Sequence, residues 1–543
     1  MSKLEPGRNK TESAHIDFDA VVIGAGFGGL YTLYKLRVLG FSVCLFERGS
    51  DVGGTWYWNR YPGARCDAPS LQYSYEFSEN LQQEWEWSEI YASQPEILSY
   101  LRHVADRFKL RDAIQFDTTV TRATLDQHDT LWRIETDSGK SITAQFCIFA
   151  TGCLSTMKTP DFPGLDQYKG ECLHTGNWPH EEINFRGKHV GIIGTGSTGI
   201  QAIPVIARTA AHLKVFQRTA QFSTPARNGP MDKAYEAKIK SDYSGFRARN
   251  YRQPVAMDIV IDRKAPKTFE VSAAERTRIY EQCWEKGGLG YSTAFRDSSV
   301  NHAANEDLSN FIRSKISDIV EDPGTAKALQ PKHIYACKRP CLDTNYFETY
   351  NRSNVTLVDV GQDGIDAISE EGIIANGYNH ELDYIIFATG FDAFTGSLNK
   401  IDIRGKNNLS LREKWSKGPR TYLGLSSADF PNLFMVTGPG SPSVLANMVV
   451  AIEQHVNLIG DCLDHMRTQG HRSVEVTSTA EKDWTEQVRR AADRTLFTAC
   501  DNWYQGANIP GKPLEFVPYV DWPGYVEICE AAVKNNYSGF VFS

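Results

Sequence analysis

No CxxC pair occurs among the eleven cysteines of this 543-residue chain, and the nearest approach is Cys337 with Cys341. The thirteen histidines form no HExxH or other metal-ligand spacing. Neither a redox dithiol nor a metal site is expected, and the scattered cysteines read as reduced thiols of a cytoplasmic protein. No stretch approaches the roughly eighteen uninterrupted apolar residues of a transmembrane helix. The polar opening MSKLEPGRNKTESAHIDF lacks the apolar centre of a signal peptide, and the closing GFVFS carries no address or lipidation signal. A net charge of −8 gives no reason to expect nucleic acid or an anionic membrane as partner. Any bound phosphate must then be held by local donors.

What is present is two glycine-rich turns, 170 residues apart. DAVVIGAGFGGLYTLYKLRVLG spans 19–40, and KHVGIIGTGSTGIQAIPVIA spans 188–207. Each begins as a short apolar run that reads as a buried parallel strand, then passes through G-x-G-x-x-G into a helical pattern. Further apolar strands end in glycine at Gly152, Gly390 and Gly438, where bare backbone suits close approach to a cofactor. Residues 225–333 are charged and helix-like. There Ser272 and Glu275 form a capping-box signature, and an apolar stripe from Leu308 to Val320 ends at Pro323 and Gly324. The expected fold is α/β, with two interleaved doubly wound, Rossmann-like nucleotide-binding domains. The first is assembled from 16–150 and 391–543, the second from 151–224 and 334–390, with a helical insertion at 225–333.

Gly24, Gly26 and Gly29 in the first turn, and Gly194, Gly196 and Gly199 in the second, allow a pyrophosphate to reach a helix N-terminus. One residue after each second strand tells the sites apart. Glu47 stands 23 residues after Gly24, where a carboxylate accepts from a ribose diol and repels a 2′-phosphate. Arg218, followed by Thr219, stands 24 residues after Gly194, where a guanidinium offers a planar fork to a 2′-phosphate. One diol-type and one phosphate-type site imply FAD and NADPH, with electrons passing from NADPH to the flavin. The residues so far leave open a reductase, an oxygenase acting on sulfur or nitrogen, an oxygenase acting on ketones, and a redox sensor without turnover. The missing CxxC weighs against the disulfide reductases.

Residues 168–179, YKGECLHTGNWP, resemble the fingerprint of the Baeyer–Villiger monooxygenases, with Gly170, His174, Trp178 and Pro179 in place and Tyr168 where that family has phenylalanine. Tyrosine is typical of N-oxygenating relatives where Trp178 stands. The resemblance extends through GGTWYWNRYPGARCD (53–67), KRPCLDTNYFETYNR (338–352), FATGFD (387–392), TGPGSPSVLANM (437–448) and NWYQGANIPGK (502–512), and is strongest toward the phenylacetone and steroid monooxygenase branch.

The resemblance implies insertion of oxygen beside a ketone carbonyl to give an ester or lactone, with O2 captured as a C4a-peroxyflavin. It implies that Arg339 is the catalytic cation beside that anion and that Asp67 orients it. Thr55, Trp56, Asp67, Tyr73, Val120 and Met448 are implied as FAD contacts. Arg65, Thr195, Ser197, Thr198, Ile200, Gln201, Arg218, Thr219, Lys338 and Trp503 are implied as NADPH contacts. Cys153, Leu154, Leu445 and Met448 are implied as pocket positions suited to a cyclic or aryl-alkyl ketone. His174 and Trp178 are expected to govern domain closure and not to touch substrate.

Overall fold

The strand Phe18–Ile23 ends in four fully covered residues, as a strand buried on both faces requires. In the computed structural model, which describes residues 16–158, 160–259 and 264–543, it lies in the interior of an eight-stranded sheet. Val43–Phe46 and Ser141–Phe149 flank it in parallel. Val120–Asp126 and Leu131–Thr136 continue from Ser141–Phe149 as an antiparallel meander. Two late segments return to this sheet: Leu433–Met435 pairs with Ser141–Phe149, and Asp402–Arg404 pairs with Val120–Asp126.

The second sheet is parallel throughout, in the order Val355–Asp359, His212–Gln217, His189–Ile193, Tyr384–Phe387, Glu171–His174. The fold is thus mixed α/β, with one parallel crossover centred on each glycine turn. Among the described residues, no helix is long and apolar enough to cross a membrane.

The glycines have different reasons to be glycine. Gly24 and Gly194 sit at φ +102° and +110°, and a Cβ on them would lie 2.7 and 2.5 Å from the carbonyl oxygens of Ala150 and Ala388. Those carbonyls belong to the FATG strand ends, which therefore abut the two turns. A Cβ on Gly29 would lie 1.7 Å from the Gly24 carbonyl oxygen, and one on Gly199 would lie 2.2 Å from that of Gly194. These third glycines seat helix on strand. Gly196 meets nothing within 4 Å, so its bareness serves something other than the fold.

Between 225 and 333 the described regular structure is almost wholly helical, with α-helices at Lys233–Ser241, Tyr243–Tyr251, Ala273–Lys286, His302–Ile319 and Pro323–Ala328. Ser272 caps its helix by accepting from the Glu275 N–H, but the Glu275 carboxylate pairs with Arg278 and does not complete a capping box. The stripe ends at Ile319, and Pro323 opens a new helix capped by Asp322. Ile239, Tyr243 and Phe246 pack into the core around the first glycine turn, whereas Leu308 and Ile312 pack with Phe222, Tyr280 and Tyr335.

The geometry predicts that Gly29→Ala costs about 1–3 kcal/mol by overpacking. Gly196→Ala, in open space, stays within about 1 kcal/mol of wild type. Thermal unfolding of the two variants measures this, and equal midpoints would contradict the assignment of separate roles.

Candidate active site

Arg339 lies two residues before the short strand Cys341–Asp343, which pairs with Ser223–Pro225. Asp67 lies in the turn that follows Arg65, whose backbone bridges Ser93. A single carboxylate oxygen, Asp67 Oδ2, accepts from Arg339 Nε at 2.9 Å and from Nη2 at 2.6 Å. Arg339 Nη1 donates to the Val444 carbonyl at 2.7 Å. Val444 occupies a 3-10 turn, Ser443–Leu445, that opens on Ser443 at φ +44°, a strained conformation for a non-glycine residue. Both side chains of the pair keep about a quarter of their surface exposed, 26% for Arg339 and 27% for Asp67. Burial alone would lower the Arg339 pKa, but the Asp67 charge more than reverses this, so the guanidinium stays cationic.

Around this pair lie groups that stay neutral. Burial pushes the Cys341 thiol up to about 11, against a hydrogen bond from Ser197 that lowers it. Burial likewise holds the Tyr504 hydroxyl up at about 12 despite the neighbouring Arg339. Cys153, Val444 and Tyr504 share an apolar cluster with Phe394 and Phe516, against which Leu154, Leu445, Met448 and Trp503 pack. The expected pocket positions are therefore brought together beside Arg339.

At the first turn the helix Phe27–Val38 starts at Gly26 with no side-chain cap, and at the second the helix Ser197–Ile206 starts likewise at Gly196. Helices elsewhere in the chain carry such caps, from Asp232, Asn301 and Thr477 for example. Two uncapped N-termini beneath bare glycine turns fit two dinucleotide pyrophosphates. Glu47 is buried, with Oε2 accepting from the Ala25 N–H at 2.7 Å and Oε1 from the Gly49 N–H at 2.8 Å, and each oxygen retains a lone pair for a diol. Burial raises its pKa against those two bonds. Thr55 and Trp56 form the next short helix, and Trp56 Nε1 reaches the Tyr73 hydroxyl at 3.4 Å. Val120 is buried at the start of its strand.

Arg218 is exposed at the end of His212–Gln217 and forms no ion pair among the described residues. The adjacent Thr219 carbonyl accepts from the Thr195 hydroxyl at 2.9 Å. Burial and the Arg218 charge together lower the pKa values of two lysines, Lys338 and Lys158. Each of these ammonium groups donates to a carbonyl of one C-terminal segment: Lys338 to Asp501 at 2.5 Å, Lys158 to Asn508 at 2.7 Å. The Arg218 charge is thus felt by both lysines, an arrangement that a phosphate dianion would relieve. Arg65 is engaged elsewhere, pairing with Glu89 at 2.8 Å. Gln201 is also occupied, accepting from the Tyr61 hydroxyl and donating to the Arg65 carbonyl.

The fingerprint segment joins these parts. His174 Nδ1 accepts from the Gly176 N–H at 3.0 Å, which leaves the proton on Nε2 to donate to the Lys158 carbonyl at 3.1 Å. Burial keeps this imidazole neutral by lowering its pKa. The Trp178 N–H meets the Trp58 carbonyl at 3.4 Å, linking the motif to the short helix Thr55–Trp58. Tyr168 packs against the cluster of Ile368, Ile373 and Phe387, and its hydroxyl donates to the Leu382 carbonyl at 2.9 Å.

One expectation is overturned. Cys337 and Cys500, 163 residues apart, form a disulfide with their Cα atoms 6.0 Å apart, so the cysteines are not all reduced. The 334–340 and 499–505 segments meet only in three dimensions, which no spacing rule detects. Lys158, Val444 and Tyr504 join the site without a sequence signal. Lys158 carries no motif, and the other two sit inside recognised segments without a pattern of their own.

Two uncapped glycine turns, one beside a buried carboxylate and one beside a cation cluster, define a two-nucleotide oxidoreductase that takes FAD and NADP(H). The family model described as pyridine nucleotide-disulphide oxidoreductase matches residues 21–244. A Baeyer-Villiger monooxygenase of Pseudooceanicola batsensis is 44% identical over 97% of this chain and 96% of its own. A cyclohexanone 1,2-monooxygenase of an Acinetobacter species is 41% identical over 97% of both. The solved structure of an oxidized steroid monooxygenase bound to NADP superposes with a TM-score of 0.92 at 46% identity, covering 97% of this chain and 99% of that one. The chain belongs to the Baeyer–Villiger monooxygenase family.

Charge-assisted hydrogen bonds contribute about 1.5–3 kcal/mol, so Arg218→Ala weakens use of NADPH roughly ten- to a hundredfold and changes use of NADH little. Steady-state kinetics with both coenzymes check this. Equal losses with the two would contradict the assignment of Arg218 to the 2′-phosphate.

Proposed function

We propose that this enzyme converts a ketone, NADPH, a proton and O2 into an ester or lactone, NADP+ and water, with Arg339 as its catalytic cation. The observation that supports this most is the Arg339 fork, held by Asp67 and the Val444 carbonyl at the edge of an apolar cluster. FAD, when bound, carries the electrons of NADPH to O2. Attack of an oxygen anion on a carbonyl needs a positive partner that keeps its proton near neutral pH, and arginine meets that condition. Asp67 orients the guanidinium plane and leaves it positively charged on its outer edge. The apolar side chains on one side of the pair limit the water that would otherwise screen the charge and protonate the anion.

In this reading Gly24, Gly26, Gly29 and Glu47 hold FAD with Thr55, Trp56, Tyr73, Val120 and Met448 alongside, while Gly194–Gly199, Arg218, Thr219, Lys338, Lys158 and Trp503 hold NADPH. In the same reading 16–150 with 391–543 form the FAD domain, 151–224 with 334–390 the NADP domain, and 225–333 a helical insertion. Cys153, Leu154, Leu445 and Phe394 suit an apolar ketone, cyclic or aryl-alkyl. Relatives named for cyclohexanone and cyclopentanone support ketones over sulfur or nitrogen substrates. The nine free cysteines suit a cytoplasmic enzyme.

Losing one such donor costs about 2.7–4 kcal/mol, a hundred- to a thousandfold in rate. Arg339→Ala therefore still lets NADPH bleach the flavin yet forms almost no ester. Arg339→Lys recovers little, because a point charge lacks the fork that Asp67 orients. Stopped-flow absorbance with product analysis separates the two half-reactions, and ester formation near the wild-type rate in Arg339→Ala would refute the assignment.

A further inference from the structure

The Cys337–Cys500 bridge stands at the junction of two segments that converge on the coenzyme cations. Cys337 immediately precedes Lys338 and lies two residues before Arg339; Cys500 immediately precedes Asp501 and lies three residues before Trp503. The Lys338 ammonium donates to the Asp501 carbonyl, so the bridge and this hydrogen bond fasten the same two strands of chain. Nine cysteines are free, and seven of these are buried, including Cys66, Cys153 and Cys341 around the ion pair. A chain of free thiols with one disulfide beside its active site is the pattern of a redox-responsive bond, not of a structural framework.

We propose that Cys337–Cys500 is a thiol–disulfide exchange site that takes a dithiol reductant and sets how firmly the 499–505 segment closes on NADP(H). Cys337 is fully buried, whereas Cys500 is half-buried at the rim, so access favours Cys500 Sγ as the atom attacked. A dithiol thiolate bonds to Cys500 Sγ and the Cys337–Cys500 bond breaks, with Cys337 leaving as a thiolate beside Lys338 and Arg339. The second sulfur of the dithiol then displaces Cys500. The protein gains two electrons and two protons, and the reagent becomes a disulfide; exchange with an oxidised dithiol runs the same steps backward.

After reduction the far end of the segment stays fastened, through Asn508 Nδ2 to the Phe391 carbonyl at 2.8 Å and Lys512 to Asp392 at 2.5 Å. The near end, with Trp503 stacked on Phe394 at 5.7 Å, keeps only non-covalent ties. Coenzyme binding must then order the near end, at the expense of affinity. The inference rests on the reading of Lys338 and Trp503 as coenzyme contacts.

The test uses the FAD-loaded enzyme. In denaturant the oxidised protein should titrate nine thiols before reduction and eleven after, and peptide mapping without reductant should recover Cys337 linked to Cys500. Dithiothreitol should raise the Kd for NADP+ roughly three- to tenfold, the cost of ordering one or two side chains, and reoxidation should restore it. Cys500→Ser should hold the reduced-state affinity and ignore the reductant. The reductant titration of wild type stands even if that variant fails to fold. Eleven thiols after treatment with oxidised dithiol, or an unchanged Kd on reducing a mapped bridge, would overturn the proposal. Lys338→Ala separates the two readings: unchanged NADP+ affinity in that variant overturns the coenzyme reading, while the thiol count reports the bridge independently.

Discussion

Arg339 and Asp67 impose the constraint around which the rest of the site is arranged. The carboxylate comes from the loop after Arg65, the guanidinium from the approach to Cys341–Asp343 in its own two-stranded sheet, and the Val444 carbonyl from a strained turn after Leu433–Met435. A half-buried charge left without its partner is costly, so each element must deliver its group in register with the others. The interleaved chain path accomplishes this. Strands near residues 402 and 433 return to the sheet begun at residue 18, which carries the Val444 turn back beside Asp67.

A second electrostatic arrangement complements the first. The protein is net negative, yet the Arg218 charge bears on both Lys158 and Lys338, whose ammonium groups donate to carbonyl oxygens. Repulsion among them is tolerable because the 499–512 segment supplies those carbonyls, and a bound phosphate would remove the rest. The fingerprint histidine acts at one remove: its Nε2–H holds the Lys158 carbonyl, and the Thr389 hydroxyl donates to the same oxygen at 2.8 Å. His174 and Thr389 thereby share one acceptor, which ties the fingerprint segment to the backbone of Lys158.

Much of this was legible in the sequence because it is local. The glycine turns announce themselves through a strand, three glycines and a helix in a fixed frame, and Glu47 and Arg218 follow at set distances. The pairing of Arg339 with Asp67 was legible only through family resemblance, since 272 residues separate them. Contacts between loops left no periodic trace. Lys158 beside Arg218, Tyr504 beside Arg339 and Cys337 bonded to Cys500 arise from folding alone. At Ser272 the cap formed as its hydroxyl dictates, but Glu275 found a closer partner in Arg278, because an exposed carboxylate takes whichever donor lies within reach. Gln201 shows the opposite outcome, a motif position whose amide oxygen and nitrogen both find partners inside the protein, while Arg65 commits only Nη1, to Glu89 and the Tyr91 carbonyl.

The central claim is that NADPH-driven activation of O2 at this site ends in insertion beside a ketone carbonyl. Isotope labelling tests it most directly. The enzyme, loaded with FAD and supplied with NADPH and a cyclic ketone under 18O2, should yield lactone carrying one labelled oxygen, in the ring position, with the second label in water. Unlabelled lactone, or consumption of NADPH that yields only labelled hydrogen peroxide across a panel of cyclic and aryl-alkyl ketones, would contradict the account.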